Sequence, residues 1–449
     1  MALVRPRFSS LACWMLLGAL SSMAQAEDIS LRLHGSNTIG ARLGHDLLMA
    51  HARSKGFVGV KQSETSPQEF LIEGRRADGS KFHGIVKAHG TNTGYADLKS
   101  GAADLWMASR EAKAEEVRDA RAIGNLHSAD QEHVIALDGL AIIVHPDNPV
   151  SELSSDQIRD AFAGRISNWS GLGGAPGPIR LYARDENSGT FDSFKTMVMS
   201  DGAQLSSQSR RFESSAELDR AVAADRQALG FVGFSHIAQG KAVAVRAAGT
   251  TALKADALSI ATEDYLLARR LYLYSAREAS ATTREFLDFV QGSAGQKVTA
   301  AAGFVAQDIF VAEVDPLPGN PDGYYDVIAD AERLSLNFRF RPQSATLDSR
   351  ALRDIERVSD FMNQPANRGK QLRLAAFGIS SERSLMMTLF AVNDRVDYIS
   401  QILASRGVRT EMSRGFVDGA AVAPIDRAET RARNERVEVW LAEPRSPQG

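Results

Sequence analysis

Hydrophobic and polar positions divide the chain into two blocks that a proline-rich stretch separates. In the first block, short apolar runs alternate with segments of helical spacing. The runs ISLRLHG, DGLAIIVHP and ALGFVGFSH predict buried strands. The segments DQIRDAFAG and TREFLDFVQG predict helices, each of which ends at a glycine. Strands that alternate with helices in this way are typical of an α/β domain.

The separating stretch is VDPLPGNPDG, residues 314–323, and its three prolines and two glycines predict a linker. Beyond it, RLSLNFRF alternates strictly between apolar and polar positions, as an amphipathic strand does. A helical pattern, a strand-like pair of leucines, a second helix ending at Gly407 and the strand VEVWL follow. The order βαβαβ predicts a small α/β sandwich over residues 324–449.

Residues 1–26 have the pattern of a signal peptide. Arg5 and Arg7 precede an apolar core at residues 11–20, and Ala-Gln-Ala at residues 24–26 predicts cleavage near Ala26. The only cysteine of the chain, Cys13, lies in this segment. We therefore expect an exported mature chain without disulfides, thiol nucleophiles or thiolate metal sites.

Charge argues against a nucleic-acid partner. Cleavage at Ala26 would remove two of the 52 basic residues and none of the 55 acidic ones, leaving a net charge of about −5. The chain also has no basic run and no interleaving of aromatic and basic residues. A site for an anion must therefore be a local arrangement of donors.

One such arrangement is predicted at RDENSGTFDSF, residues 184–194, which directly precedes an amphipathic segment. The first turn of a helix has free backbone N–H groups and the positive end of the dipole. Ser188 and Thr190 add hydroxyl groups, Gly189 allows close approach to the backbone, and Arg184 offers a planar set of donors. An ordinary helix cap with a surface salt bridge would also explain this stretch taken alone.

Two further loops repeat this chemistry. HGSNTIG, residues 34–40, offers Ser36, Thr38 and the backbone N–H of Ile39, while HGTNTGYADLKSG, residues 89–101, offers Thr91 and Thr93. Either loop alone would be a common turn and cap. Three such loops on one chain favour helix N-termini that converge on a small tetrahedral oxyanion.

With these loops, residues 27–313 resemble a periplasmic phosphate-binding protein, the solute-binding component of phosphate ABC transporters. The matching pieces stand in the family's order: GSNTIG, GTNTG, ADLWMASR, DGLAIIVHPDNPV, IRDAFAGRISNWSGLGG, RDENSGTFDSF and GFVGFSHI. The resemblance implies a two-lobed periplasmic-binding-protein fold of type II, with phosphate buried between the lobes. It also implies that residues from 138 to about 230 form the second lobe.

The resemblance implies a set of phosphate-binding residues: Thr38, Ile39, Thr91, Arg110, Arg184, Glu186, Ser188, Gly189 and Thr190. Arg110 falls where well-known members have an aspartate that accepts the phosphate proton. A carboxylate that faces the anion selects hydrogen phosphate over sulfate, since sulfate has no proton to donate. Selectivity for phosphate is expected if Glu186 faces the ligand. Sulfate or another oxyanion is expected if only Arg110 and Arg184 do, and Arg110 could instead neutralise Glu186 or lie on the surface.

A phosphatase of the same fold is the less favoured alternative. Hydrolysis needs a metal pair or an activated nucleophile. The nine histidines lack metal-ligand spacing, and no histidine lies near Ser188 in sequence. His34 and His89 precede the glycine loops, where a hydrogen-bonding role at a strand end is favoured. We expect no catalytic residue, no cofactor and no metal.

Residues from about 324 to 442 resemble an OmpA-like domain, the module that binds peptidoglycan without a covalent bond. LNFRFRPQSATLDSRALRDI and RARNERVEVWL carry the resemblance, which implies roles in binding for Arg395, Asn434 and Arg436. The family's aspartate is missing from AAFGISSERS, residues 375–384, and Glu435 replaces an arginine. Losing that aspartate removes a charge-assisted hydrogen bond, so either wall binding is weakened or the domain is a spacer or protein-interaction module.

Together the two resemblances imply an exported protein that captures inorganic phosphate in the periplasm. The second implies association with peptidoglycan at the cell wall, and hence with the outer membrane. An ABC permease or a membrane sensor is the expected partner for delivery. A purely structural envelope protein is the remaining alternative.

Overall fold

The computed structural model describes residues 28–186, 188–199, 202–341, 344–380, 384–425 and 428–444. The predicted signal peptide with Cys13, Asn187 of the arginine loop and residues 381–383 of AAFGISSERS lie outside the described residues. Within the described part of the chain, no helix combines the length and the apolar character that crossing a membrane requires.

The first lobe is a sheet with helices packed on it, and its core joins β1, β3, β4 and β5 to α2 and α9. Its apolar strands are parallel where β1 lies between β4 and β5. Its elements up to the first crossover are β1 (Ile29–Gly35), α1 (Asn37–Gly40), α2 (Leu43–Ser54), β2 (Val58–Ser66), β3 (Glu69–Arg75), β4 (Lys81–Lys87), α3 (Thr91–Ser100), β5 (Leu105–Ala108) and α4 (Ala114–Asp119); those after the return are β13 (Ala268–Ser275), α9 (Ala281–Gln291) and α10 (Ser293–Ala301).

The second lobe is built on the continuation of the same sheet, and its own apolar core surrounds Phe162, Phe194 and Phe231. Its elements are β7 (Glu152–Ser154), α5 (Ser155–Phe162), β8 (Arg180–Arg184), α6 (Gly189–Met197), β9 (Arg210–Phe212), α7 (Ser215–Ala224), β10 (Ala228–Gly233), β11 (Lys241–Ala242), β12 (Ala244–Arg246) and α8 (Ala257–Ala261).

One long strand joins the two lobes. The strand β6 (Glu132–Val144) pairs with β13 in the first lobe up to Gly139 and with β10 in the second lobe from Leu140 onward. Apart from Glu132, His133 and Asp138, its residues are apolar or glycine, and the strand is buried along almost its whole length. The chain therefore crosses between the lobes at residues 139–140 and returns where β13 begins.

The C-terminal domain is a separate five-stranded sheet in the order β14-β15-β18-β16-β17. Helices α12 and α13 pack their apolar stripes on it, with Ile355, Val358, Val396 and Ile399 in the core. Its elements are β14 (Val311–Ala312), α11 (Asp322–Ile328), β15 (Ala331–Arg339), α12 (Ser349–Met362), β16 (Gln371–Gly378), α13 (Leu385–Ser405), β17 (Thr410–Val417), α14 (Ala428–Arg431) and β18 (Arg436–Ala442).

Domain boundaries differ from the expected ones in two places. The second lobe does not end near residue 230, because β11 pairs with β6 and residues up to Leu267 belong to its core. The C-terminal sheet begins before the linker, since β14 pairs with β15. The C-terminal domain also contains a strand that the predicted βαβαβ order lacks. This strand, β17, lies between α13 and β18 in the sequence and pairs parallel with β16.

A buried histidine makes the first lobe sensitive to acid. The His51 ring lies among Phe286, Phe289 and Phe82, with ring centroids at 5.3, 5.2 and 6.5 Å. Neither ring nitrogen has a hydrogen-bond partner among the described residues. Burial lowers the pKa of His51 to about 4. The folded state therefore resists a proton that the unfolded chain accepts near pH 6.5.

We predict that the free energy of unfolding falls as the pH drops from 6.5 toward 4, with His51 accounting for roughly 3 kcal/mol of that loss. Urea unfolding at pH 7.5 and pH 5 measures this dependence. His51→Phe should reduce the difference between the two pH values, whereas His83→Phe, at a partly exposed position in the same lobe, should leave it unchanged. An equal pH dependence in the wild-type chain and His51→Phe would contradict this account.

Candidate functional site

The starts of two helices meet across the cleft between the lobes. Helix α1 belongs to the first lobe and α6 to the second, and Thr38 Oγ1 donates a hydrogen bond to the Gly189 carbonyl at 3.2 Å. A Cβ atom at Gly189 would stand 2.5 Å from Thr38 Cα and 2.8 Å from its nitrogen. Only glycine therefore permits this contact, which brings the free N–H groups of both first turns to one place.

Side-chain caps shape the α6 start. The Ser188 hydroxyl accepts a hydrogen bond from the Thr190 N–H at 3.2 Å, as an N-cap residue does. Ser193 Oγ donates to the Gly189 carbonyl at 2.8 Å one turn later. The remaining first-turn N–H groups and the helix dipole favour negative charge at this point.

Arg184 lies at the end of β8 beside this helix start, and its side chain is only 15% exposed. Its guanidinium donates to the Phe212 carbonyl at 3.2 Å, the Glu213 carbonyl at 2.7 Å and Ser215 Oγ at 2.5 Å. Burial lowers the pKa of Arg184, and Asp185 opposes that effect. A buried cation surrounded mainly by neutral acceptors is well placed to attract an anion.

The cleft has a volume of about 530 Å³ and carries charges of both signs. Burial, with Arg184 and Arg42 nearby, lowers the pKa of His236 in the same wall. The residues that line the cleft are Asn37, Thr38, Ala41, Arg42, Gln68, Asp138, Arg184, Asp185, Ser188, Gly189, Thr190, Glu213, Ser215, Gly233, Ser235, His236, Ala302, Gly303 and Phe304.

Arg269 also joins the anion loops, although no sequence motif indicates it. This β13 side chain donates to Thr38 Oγ1 at 2.8 Å and to Ser193 Oγ, and its Nε lies 3.1 Å from the Asp138 carboxylate. Its Nη1 is also 3.5 Å from the Ser109 carbonyl. An arginine near the start of a strand carries no loop signature, so only the fold brings it to the site.

The loop at Thr91 reaches this cluster through Ser109. Thr91 Oγ1 lies 3.1 Å from Ser109 Oγ and accepts the Ser109 N–H at 3.3 Å. Thr91 does not line the cleft itself, whereas Thr38, Arg184, Ser188, Gly189 and Thr190 do. Ile39 contributes backbone at the α1 start, and its side chain is buried in the first-lobe core.

Arg110 and Glu186 lie outside the cleft lining. The Arg110 guanidinium binds both oxygens of Glu116, at 2.7 and 2.8 Å, and Asn92 Oδ1 at 2.7 Å. Glu186 is 83% exposed, and its nearest cation is Arg211 at 3.5 Å. The expectation that Glu186 faces the anion therefore has no support from its position, and Arg110 does not neutralise Glu186. The carboxylates that do line the cleft include Asp138 and Asp185.

The two histidines beside the glycine loops hold hydrogen bonds at strand ends. His34 Nδ1 lies 2.8 Å from Asp97, and His89 Nε2 lies 3.0 Å from Glu69.

A third histidine, His127, lies close to Glu111 and Glu132, with the potential metal-ligand atoms of the three side chains within 4.8 Å of one another. Arg341 shares that cluster, 3.2 Å from Glu132, so a cation already occupies the space that a metal would need.

In the C-terminal domain, two of the three residues implied in peptidoglycan binding are buried. Asn434 holds the backbone of Val422 and Ala423, and Arg436 pairs with Glu438 at 3.0 Å. Both are 1% exposed. Arg395 is 16% exposed and pairs with Glu435 at 2.6 Å.

Comparison with known proteins agrees with this geometry. A family model described as the PBP superfamily domain matches residues 69–294, half of the chain. The chain belongs to the PBP superfamily. That model ends before the C-terminal domain.

Curated relatives of this superfamily member include phosphate-binding proteins. "Phosphate-binding protein PstS" of Bacillus subtilis (strain 168) is 30% identical over 212 residues, which cover 47% of this chain and 67% of that protein. "Phosphate-binding protein PstS" of Pseudomonas aeruginosa PAO1 is 26% identical over 247 residues, covering 51% and 75%.

A solved structure of a possible phosphate-binding protein from Planctomyces limnophilus DSM 3776 matches with a TM-score of 0.50 at 20% identity. The matched region covers 62% of this chain and 93% of the Planctomyces limnophilus chain. At this identity the likeness shows the two-lobed fold alone.

The position of Arg110 predicts a structural role. Arg110→Ala would leave the mostly buried Glu116 without its main partner, so we expect the free energy of unfolding to fall by about 1–3 kcal/mol. Lys113→Ala is the matched control, because its pair with Glu115 is exposed and should contribute less than about 1 kcal/mol. Urea unfolding measures both. A variant Arg110→Ala with unchanged stability but lost anion binding would contradict this role.

Proposed function

We propose that this chain is an exported solute-binding protein that captures inorganic phosphate in the cleft between its two lobes. The observation that carries the proposal is the contact of Gly189 with Thr38, which brings two helix starts together beside the buried Arg184. Helix N-termini and an arginine are the donors that a small oxyanion requires. Membership of the PBP superfamily supports a solute-binding role, and the similarity to phosphate-binding proteins PstS supports phosphate as the ligand.

Phosphate is favoured over sulfate because carboxylates line the cleft. Hydrogen phosphate can donate its proton to Asp138 or Asp185, whereas sulfate would leave such an acceptor facing another negative charge. Arg110 does not offset this effect, since Glu116 binds both of its terminal nitrogens. Selectivity for phosphate over sulfate in this chain then depends on Asp138 or Asp185, and not on the position of the family's aspartate, which Arg110 occupies.

Capture is favoured over hydrolysis. Ser188 accepts the Thr190 N–H as a helix cap, and His236, which lines the same cleft, lies with Nδ1 3.0 Å from Ser235 Oγ. In the described part of the chain, no hydrogen bond joins the Ser188 hydroxyl to a basic side chain, whereas a serine nucleophile needs a base within hydrogen-bond reach. The remaining step is delivery, for which we propose an ABC permease or a membrane sensor.

We further propose that the C-terminal domain is an OmpA-like module that holds the protein at peptidoglycan, and hence near the outer membrane. Its order of strands and helices supports this fold. The aspartate missing from residues 375–384 has a substitute at the same end of the sheet, because exposed Asp418 accepts the Ser380 N–H at 2.9 Å. With Arg395 on α13, it would provide one acidic and one basic group for a peptide.

The phosphate proposal predicts that Arg184→Ala weakens phosphate binding at least a hundredfold, because a charge-assisted donor pair is lost from a buried site. Equilibrium dialysis of refolded, anion-free protein with labelled phosphate measures the affinity. Arg180→Ala is the control, because Arg180 lies on the same strand but is 63% exposed and pairs with Asp225.

Four outcomes separate the alternatives. Phosphate binding that sulfate does not displace supports the proposal, and equal displacement by sulfate favours a general oxyanion binder. Release of phosphate from p-nitrophenyl phosphate would favour a phosphatase. Equal binding by Arg184→Ala and Arg180→Ala would contradict the assigned site.

The wall proposal predicts co-sedimentation of the full chain with purified peptidoglycan sacculi. Asp418→Asn and Arg395→Ala should each reduce the bound fraction several-fold, because each removes one charged partner of the peptide. Asp397→Asn, an exposed position on the same helix as Arg395, should leave it unchanged. Absence of the wild-type chain from the sacculus pellet would refute wall association.

A further inference from the structure

Side chains of the C-terminal domain form hydrogen bonds to the backbone of one short segment of the second lobe, residues 261–266. Five carbonyl groups between residues 261 and 266 accept hydrogen bonds from arginine and asparagine side chains of the C-terminal sheet and its flanking elements. These bonds are Arg350 to Ala261 at 2.8 Å, Arg339 and Asn337 to Thr262 at 2.9 Å each, and Arg433 to Glu263, Tyr265 and Leu266 at 2.6, 2.7 and 3.1 Å.

This segment is where the chain returns between the lobes. It directly precedes β13, which begins at Ala268 and carries the chain back to the first lobe. Tyr265 Oη also donates to the Leu140 carbonyl at 2.8 Å, at the point where β6 crosses in the other direction. Both crossovers are therefore tied together at the segment that the C-terminal domain holds.

Buried ion pairs strengthen the attachment. Glu263 accepts hydrogen bonds from Arg270 of β13 at 2.9 and 3.0 Å and also binds Arg350 of the C-terminal domain. Asp264 lies 3.2 Å from Arg339. Burial alone would raise the pKa of Glu263, but the charges of Arg270 and Arg350 lower this pKa to about 2. Separation of these groups would leave a buried charge without its partner, which is strongly unfavourable.

The same domain is bonded to the first lobe. At the start of α12, Asp348 binds Arg270 at 2.8 Å and Ser349 Oγ donates to Glu132 at 2.5 Å. Arg341 lies 3.2 Å from Glu132 as well. One compact domain is thus attached both to the first lobe and to the return segment of the second lobe.

We propose that the C-terminal domain is a brace that fixes the angle between the two lobes, so that the width of the cleft is set from outside the cleft. Opening by rotation at residues 139–140 and 267–268 would have to break either the bonds to Glu132 or those to the return segment. A rigid element bonded on both sides of a hinge opposes that rotation. This inference rests on the proposed function only in taking the cleft as the place where the anion binds.

The test measures the distance between the lobes in the full chain. Ser63→Cys in the first lobe and Ser207→Cys in the second are exposed positions for spin labels, and Cys13, in the predicted signal peptide, is the only native cysteine. Pulsed electron–electron double resonance between the two spin labels then reports the interlobe distance with and without phosphate. The brace variant is Arg341→Ala with Ser349→Ala, which removes contacts to Glu132, and Arg368→Ala at an exposed position is the control.

With the brace intact, phosphate should change the mean distance by less than about 2 Å. In Arg341→Ala/Ser349→Ala, the distribution of interlobe distances without phosphate should be broader than in the wild-type chain. Phosphate should then shorten the mean distance by more than about 2 Å. Arg368→Ala should behave as the wild-type chain does. A large phosphate-dependent closure in the wild-type chain, or an unchanged anion-free distribution in the brace variant, would overturn the proposal.

Calorimetry on the same labelled proteins separates this inference from the proposed function. If no chain gives heat with phosphate, the phosphate proposal fails, while the anion-free distributions still decide whether the brace exists. If the brace variant does not fold, as circular dichroism would show, the phosphate response of the wild-type chain remains decisive.

Discussion

At the centre of the molecule, the backbone of Gly189 lies on the backbone of Thr38, where a single methyl group would stand 2.5 Å from Thr38 Cα. This contact determines what the cleft can bind, because it brings the free N–H groups of two first turns close together. It also depends on the rest of the fold, since the two helices belong to different lobes. The long strand β6, paired with β13 on one side of Gly139 and with β10 on the other, holds the lobes in that relation.

The C-terminal domain adds a second constraint on the same geometry. Its arginines bind the return segment and the carboxylates of both lobes, so the cleft and this domain form one mechanical unit. If the domain also binds peptidoglycan and that binding changes the width of the cleft, linkage requires each ligand to change the affinity for the other by the same factor. Phosphate capture in this chain would then respond to attachment at the wall without any contact between the two ligands.

The apolar pattern predicted most of the fold because buried strands and amphipathic helices depend on local sequence. The strands at residues 29–35 and 228–233 and the helix after Ser188 follow it closely. Tertiary contacts decided the rest. Arg110 turns to Glu116, six residues later, rather than to the cleft, and Arg269 reaches Thr38 only because β13 lies beside β5. No local signal distinguishes such arginines, and the same holds for those that the C-terminal domain uses at the return segment.

The most direct test is a crystal structure of the chain after bound anion has been removed by unfolding and refolding and phosphate has been added. The account predicts one phosphate between the starts of α1 and α6, with oxygens about 3 Å from backbone N–H groups of both helices and from the Arg184 guanidinium. Phosphate bound in solution but located elsewhere, or an empty cleft at saturating phosphate, would contradict it.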